Sequence, residues 1–307
     1  MVKPNLILPV GTQVVTRVEV AGRGAESVCP KGAVGVIVHA PVDNTHAYRV
    51  RFPDGGEAQL KRYEFAVRKE YQQAGLERAA GEAGEPDLRA YVIYRCVIGS
   101  RAYGLAGDES DTDRRGVYLP PAELHWSLYG VPEQLEDDET QECYWEIRKF
   151  IDLALKANPN VLECLYSPLI EHATPLAREL LDMRAGFLSK LVYQTYNGYV
   201  LSQFKKLEGD LRNRAAIKWK HAMHLIRLLL SGVTVLREGF VPLCVEEHRE
   251  RLLAIRRGAV PWEAVNAWRL ELHREMDAAL ATTKLPDQPD YTKANDLLVR
   301  ARRSMVG

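Results

Sequence analysis

The hydrophobic pattern changes period along the chain, and that change sets the fold class. Residues 1–67 alternate apolar and polar in short runs, among them Gln13–Val20, Gly35–Val38 and Tyr48–Phe52. Turn signals separate the runs at Pro30-Lys31-Gly32, Asp43-Asn44 and Pro53-Asp54-Gly55-Gly56. A period of two bounded by such residues predicts short strands. From about Thr174 onward the spacing becomes helical, over Leu188–Lys206, Ala215–Leu230, Val245–Arg256, Trp262–Ala281 and Tyr291–Met305. Each of these is bounded by Gly, Pro or Asp. The stretch between is mixed. Tyr91–Ile98 and Gly116–Leu119 read as buried strands, with a third near Glu142–Trp145. Helices are expected over Ile147–Lys156 and Val161–Tyr166, separated by Asn158-Pro159-Asn160. The class is α+β.

Charge and cysteine usage remove several functions. Lys plus Arg number 41 and Asp plus Glu 41, so the formal net charge is zero, which argues against a protein that coats polyanions. The five cysteines, Cys29, Cys96, Cys143, Cys164 and Cys244, contain no CxxC pair, which argues against a zinc ribbon and a disulfide framework. The N-terminal apolar stretch is too short for a signal peptide, and no run of about 18 apolar residues predicts a membrane span. A cytoplasmic protein with reduced thiols is expected.

The run from Lys31 to Leu60 resembles an SH3-like barrel of the KOW or Tudor kind. Ten basic and seven acidic residues through Glu70 do not single it out as a nucleic-acid binder. The charged, Ala/Gly-rich stretch 68–88 reads as a short helix and a linker. The expected division is therefore a barrel over 1–70, a linker over 71–88, a mixed domain over 89–172 and a helical domain over 173–307.

The chemistry concentrates in Gly99-Ser100-Arg101-Ala102-Tyr103-Gly104 and Ser110-Asp111-Thr112-Asp113-Arg114-Arg115-Gly116. A strand that ends in Gly-Ser and turns into a short helix leaves backbone N–H groups free for phosphate oxygens. Ser100 adds a hydroxyl, and Gly99 and Gly104 permit close approach of phosphate to the backbone. Asp111 and Asp113 are two residues apart on an extended segment, so both side chains project to one face. Such a pair suits a hard divalent cation such as Mg²⁺. A phosphate cradle beside a two-carboxylate metal site is what nucleotidyl transfer requires. Arg101 either contacts phosphate or pairs with an acid. No GxxxxGK[ST], GxSxG or HExxH pattern competes.

These two segments resemble the DNA polymerase β-type nucleotidyltransferase superfamily, whose pattern is GS, a short helix and DxD. The run YWEIRKFIDLALKANPNVLECLYSP is similar to that of an RNA-repair-associated branch of polynucleotide nucleotidyltransferases. The resemblance covers roughly residues 91–170, with an echo in KWKHAMHLIRLL. It implies a polymerase-β-like palm over 89–172, Mg²⁺ or Mn²⁺ as cofactor, and an NTP, ATP among the candidates, as substrate.

It also implies a third carboxylate from the neighbouring strand. That position falls near Gln141, which is not an acid. Cys143 and Trp145 are expected to face the core, which turns Glu142 and Glu146 the other way. Glu142 is therefore the expected third metal ligand and Glu146 the next candidate; the other reading of Glu146 is a helix cap.

In the helical domain, nine basic residues face two acidic ones between Lys190 and Arg237. Lys220, His224 and Arg227 share one helix face, opposite Met223, Ile226 and Leu230. The resemblance implies that they contact the triphosphate; a solvated basic face is the plain alternative. Tyr199, Lys205 and Lys206 are further candidates for the same cleft, and His221 reads equally as a packed histidine. The expected acceptor is an RNA 3′ end, with a protein hydroxyl or a small molecule as alternatives. A non-catalytic nucleotide- or RNA-binding regulator is the reading from another class.

Overall fold

The computed structural model describes residues 7–21, 28–41, 43, 46–72, 86–107, 110–214 and 217–306. The chain forms two compact units, Met1–Pro86 and Asp87–Gly307. The linker expected over 71–88 lies largely outside the described residues.

In the first unit, β1 (Gln13–Thr16), β4 (Val34–His39), β5 (Tyr48–Arg51), β6 (Glu57–Leu60) and β7 (Phe65–Val67) form one antiparallel sheet in the order β6-β5-β4-β1-β7. β2 (Val20–Ala21) and β3 (Val28–Cys29) form a separate ladder. The alternation read in the sequence puts Val14, Ile37, Tyr48, Val50, Leu60 and Phe65 into the core. Tyr48 and Phe65 meet there edge to face, with ring centroids 5.2 Å apart.

The second unit is built on a sheet in the order β10-β11-β9-β8-β12. β8 (Val92–Ile98) pairs antiparallel with β9 (Asp113–Tyr118), and β9 pairs parallel with β11 (Glu142–Glu146). β10 (Gln134–Asp137) and β12 (Ile170–Ala173) form the edges. Neither edge was legible in the sequence, since β10 is part of an acidic stretch and β12 is four residues with exposed Ile170 and Glu171.

Tyr94, Cys96, Val117, Cys143 and Trp145 face the core, and α2 (Ile147–Leu155) and α3 (Pro159–Tyr166) belong to the same buried cluster. α1 (Ala122–Trp126) precedes them. Asn158 does more than interrupt a helix. Its side-chain oxygen accepts from the N–H groups of Asn160 and Val161 at 3.1 and 3.3 Å, with Pro159 at the first position of α3.

The rest is helical: α4 (Pro175–Asp182), α5 (Leu191–Arg214), α6 (Trp219–Glu238), α7 (Arg249–Arg256), α8 (Trp262–Thr282) and α9 (Tyr291–Arg303). α6 is the central helix and packs against α5, α7 and α8. Gly232 permits the close crossing, because a Cβ there would meet Met276 Cε at 2.8 Å. Residues 89–172 and 173–307 share one continuous core, so they are two regions of one unit.

Candidate active site

Ile98 ends β8 opposite Asp113 at the start of β9. The expected short helix after Gly99 does not form. A single turn takes its place, closed by Tyr103 N–H to Gly99 O at 3.0 Å and Leu105 N–H to Ser100 O at 2.9 Å. Gly99 and Gly104 both have φ +72°, a conformation that side-chain-bearing residues rarely adopt and that stops the helix at one turn. At Gly99 space is short as well, because a Cβ there would overlap the Asp113 carboxylate.

Ser100, Gly107, Ser110, Asp111 and Asp113 line a cleft of ≈ 530 Å³ together with Lys220 and Arg256 of the helical region. Its size is that of a small-molecule site. Asp113 has Arg115 Nη2 3.6 Å from one carboxylate oxygen. Asp111 is exposed and forms no ion pair among the described residues. Arg101 reaches back to Ser110 O at 2.7 Å, a loop-closing bond rather than an acid pair. Two carboxylates and two cations in the lining of one cleft fit a divalent cation together with a phosphate group, because Mg²⁺ suits one or two protein carboxylates plus substrate phosphates.

The sheet register corrects the assignment of the third acid. Paired residues of parallel strands share a face, and Glu142, Tyr144 and Glu146 are opposite Arg114, Gly116 and Tyr118. Asp113 alternates with Arg114, so it shares its face with Cys143 and not with Glu142. Cys143 and Trp145 do face the core, but Asp113, which lines the cleft, is on that same face. Glu142 stands instead beside Arg114, which also pairs with Glu171 at 3.0 Å. Gln141 precedes β11 and has φ +55°, so the strand alternation does not extend to its side chain; its carbonyl accepts from Arg114 N–H at 3.1 Å and from Arg115 Nη1 at 2.8 Å. Among the described residues no group of three metal-ligating side chains occurs.

Glu146 is a structural residue. It is 5% exposed, accepts from Arg148 N–H at 3.0 Å as the cap of α2, and contacts Arg302 of α9 at 2.6 Å. Glu146→Ala is expected to cost about 2–3 kcal/mol in urea unfolding, since it removes a cap and leaves Arg302 without its acid. Nucleotide affinity of the folded variant is expected to match wild type; a fall in metal affinity without loss of stability would reinstate Glu146 as a ligand.

The basic stripe of α6 is also graded by depth. Lys220 is exposed and lines the cleft. His224 is held neutral, its pKa pushed down to about 3 by burial and then by Arg227. Arg227 is 1% exposed and bonds Glu163 of α3 at 2.6 Å, so it does not line the cleft. Its guanidinium stacks over the Tyr103 ring at 3.7 Å, and the Tyr103 hydroxyl donates to the other Glu163 oxygen. Burial and then the Glu163 charge raise the Tyr103 pKa well above its ordinary value, so this hydroxyl stays a donor. Tyr199, Lys205 and Lys206 are exposed on α5 and do not line the cleft. His221 is half-buried, its pKa lowered by burial and by Lys218 and Lys206.

Sequence reasoning missed Arg256. It follows the GS turn by about 150 residues, yet its Nη1 donates to Leu105 O at 3.1 Å while it lines the cleft. Its only local signal was its place in the last turn of an expected helix.

A family comparison agrees with this geometry. The sequence model of the RNA repair pathway DNA polymerase beta family (RlaP) matches residues 51–300. The chain belongs to this family. The match runs from β5 of the first unit almost to the end of α9, so it includes every residue that lines the cleft. A curated relative, "Uncharacterized protein YcgL" of Bacillus subtilis (strain 168), is 26% identical over 156 residues. That alignment covers 49% of this chain and 58% of the relative, so the chain spans somewhat more than half the length of the relative it matches.

Proposed function

We propose that this chain is a nucleotidyltransferase of RNA repair, moving a nucleoside monophosphate from an NTP to an acceptor hydroxyl with release of pyrophosphate. One observation carries the reading: Asp111 and Asp113 line the same cleft as Ser100, Lys220 and Arg256, in a member of this family. Asp111 and Asp113 would hold Mg²⁺ or Mn²⁺, which lowers the charge of the triphosphate and orients it for attack. Ser100 Oγ donates to the β- or γ-phosphate, and Lys220 and Arg256 neutralise phosphate oxygens. Arg115 fixes the orientation of Asp113. A carboxylate oxygen of the aspartate pair accepts the proton of the acceptor hydroxyl.

The acceptor we assign is an RNA 3′ end. Lys205, Lys206, Lys218 and Lys220 are exposed and form no ion pair among the described residues, which suits a polyanion. The strand order of the first unit supports the SH3-like barrel reading. Its own groove is lined by Glu19, Glu57 and Glu64, so the barrel does not offer RNA a basic surface there. Five free thiols and the family's role favour the cytoplasm. A second reading, the non-catalytic nucleotide-binding regulator, draws on Glu142, which the register puts on the other face of the sheet from Asp113.

The test is incubation with each α-³²P-labelled NTP, Mg²⁺ or Mn²⁺ and a mixed RNA pool, comparing wild type with Asp111→Ala/Asp113→Ala. Label on RNA with wild type alone is expected. Label on protein would reassign the acceptor, and nucleotide binding without transfer would favour the regulator.

A further inference from the structure

A single turn bounded by two glycines cannot hold its own shape, because nucleating a helical turn fixes several residues for one or two hydrogen bonds. The turn carrying Ser100 is nevertheless held at every carbonyl from 103 to 105. Val245 N–H donates to Tyr103 O at 3.3 Å, Arg249 Nε to Gly104 O at 2.9 Å, and Arg256 Nη1 to Leu105 O at 3.1 Å. Below it, Ala102 and Leu105 are buried, and Tyr103 carries the turn's one deep polar anchor. That anchor is the Glu163–Arg227 pair, both side chains 1% exposed.

An ion pair this deep gives stability no advantage, since well-packed apolar residues usually serve as well or better. Arg227 is also incompletely satisfied: among the described residues Nε and Nη1 have no hydrogen-bond partner, and the Tyr103 ring covers its face. What the pair supplies is direction. It fixes the Tyr103 ring plane through the stacked guanidinium and its hydroxyl through Glu163, at a point three residues from Ser100. Glu163 comes from the palm region and Arg227 from the helical region, so the turn is located against both walls of the cleft.

We propose that Tyr103, Glu163 and Arg227 are positioning residues that hold the Ser100 turn in the form that receives phosphate. The nucleotide half of this statement rests on the function proposed above; the ordering of the turn does not. Two variants test it. Glu163→Gln/Arg227→Met removes both charges together and leaves neither buried unpaired, and Tyr103→Phe keeps the ring and removes the hydroxyl.

Hydrogen exchange of the ligand-free protein is read first. Amides of residues 101–105 are expected to exchange about tenfold faster in the double variant and about threefold faster in Tyr103→Phe, with the rest of the unit within about twofold of wild type. Mg·ATP titration is read second, with Kd expected to rise about tenfold and about threefold respectively. A purely structural role would leave the coupling pattern unmoved. If the clamp acts through the turn, Tyr103→Phe combined with Ser100→Ala raises Kd by less than the product of the single effects, whereas its combination with Lys220→Ala is multiplicative.

Unchanged exchange in the turn overturns the proposal, and Tyr103→Phe decides alone if the double variant does not fold. Faster exchange with Kd unchanged overturns the positioning role. Wild type that binds no nucleotide overturns the function proposed above, and the exchange result then decides the clamp by itself.

Discussion

Arg227→Ala is expected to destabilise the Asp87–Gly307 unit by about 3–5 kcal/mol in chemical denaturation. The reason is what remains behind. Glu163 is 1% exposed, and its partners among the described residues are Arg227 and the Tyr103 hydroxyl. Without the guanidinium, a carboxylate is left in the core with one neutral donor, and the cavity under the Tyr103 ring adds to the cost. The unit's whole stability is of the order of 5–15 kcal/mol, so the variant is expected to be partly unfolded at 37 °C. Glu163→Gln/Arg227→Met should fall within about 2 kcal/mol of wild type, because no charge is stranded. Equal destabilisation of the single and double variants would show that packing, not charge, makes this position sensitive.

Gly99→Ala is expected to leave the protein folded and to reduce the nucleotidyl transfer proposed above by about a hundredfold or more. The backbone penalty is small, on the order of 1–2 kcal/mol for placing alanine at positive φ. The larger effect is local. A methyl group at Gly99 occupies the space of the Asp113 carboxylate, so the carboxylate must turn away from the cleft. Displacement of a reacting group by about 1 Å is enough to cost two orders of magnitude in rate. Thermal melting and the labelled-NTP assay on the same preparation separate the two effects. Transfer within about threefold of wild type would mean that Asp113 is not at the reacting centre.

What the sequence revealed and what it concealed follow from the range of the interactions. Ser100, Asp111 and Asp113 lie within fourteen residues on a strand-turn-strand segment, so their convergence could be read from local spacing. The stripe of Lys220, His224 and Arg227 was legible as a direction on a helix. Its depth was not, because depth depends on Glu163, 64 residues away in α3. The faces of β11 were assigned correctly relative to Cys143 and Trp145, yet Glu142 was misplaced. Alternation gives two faces and does not say at which one the cleft opens. The turn after Gly99 read as a helix start because Gly and Ser favour one there. The second glycine, Gly104, has positive φ and lets the chain leave after a single turn. Arg256 is tied to the site only by a tertiary contact, and no local pattern announces such a contact.

The staple made by α9 sets an order on synthesis. Arg302 closes onto Glu146 at the start of α2, and Met305 O accepts from Ala122 N–H at 3.1 Å. A nascent chain that has released only residues up to 172 therefore exposes the sheet's helices and lacks Arg302 and Arg227, the basic partners of Glu146 and Glu163. Domains usually fold as units during translation. Here the unit bearing the cleft cannot be completed until its final helix has left the ribosome, although Asp111 and Asp113 were polymerised nearly two hundred residues earlier. The first unit, with its separate core, is under no such delay.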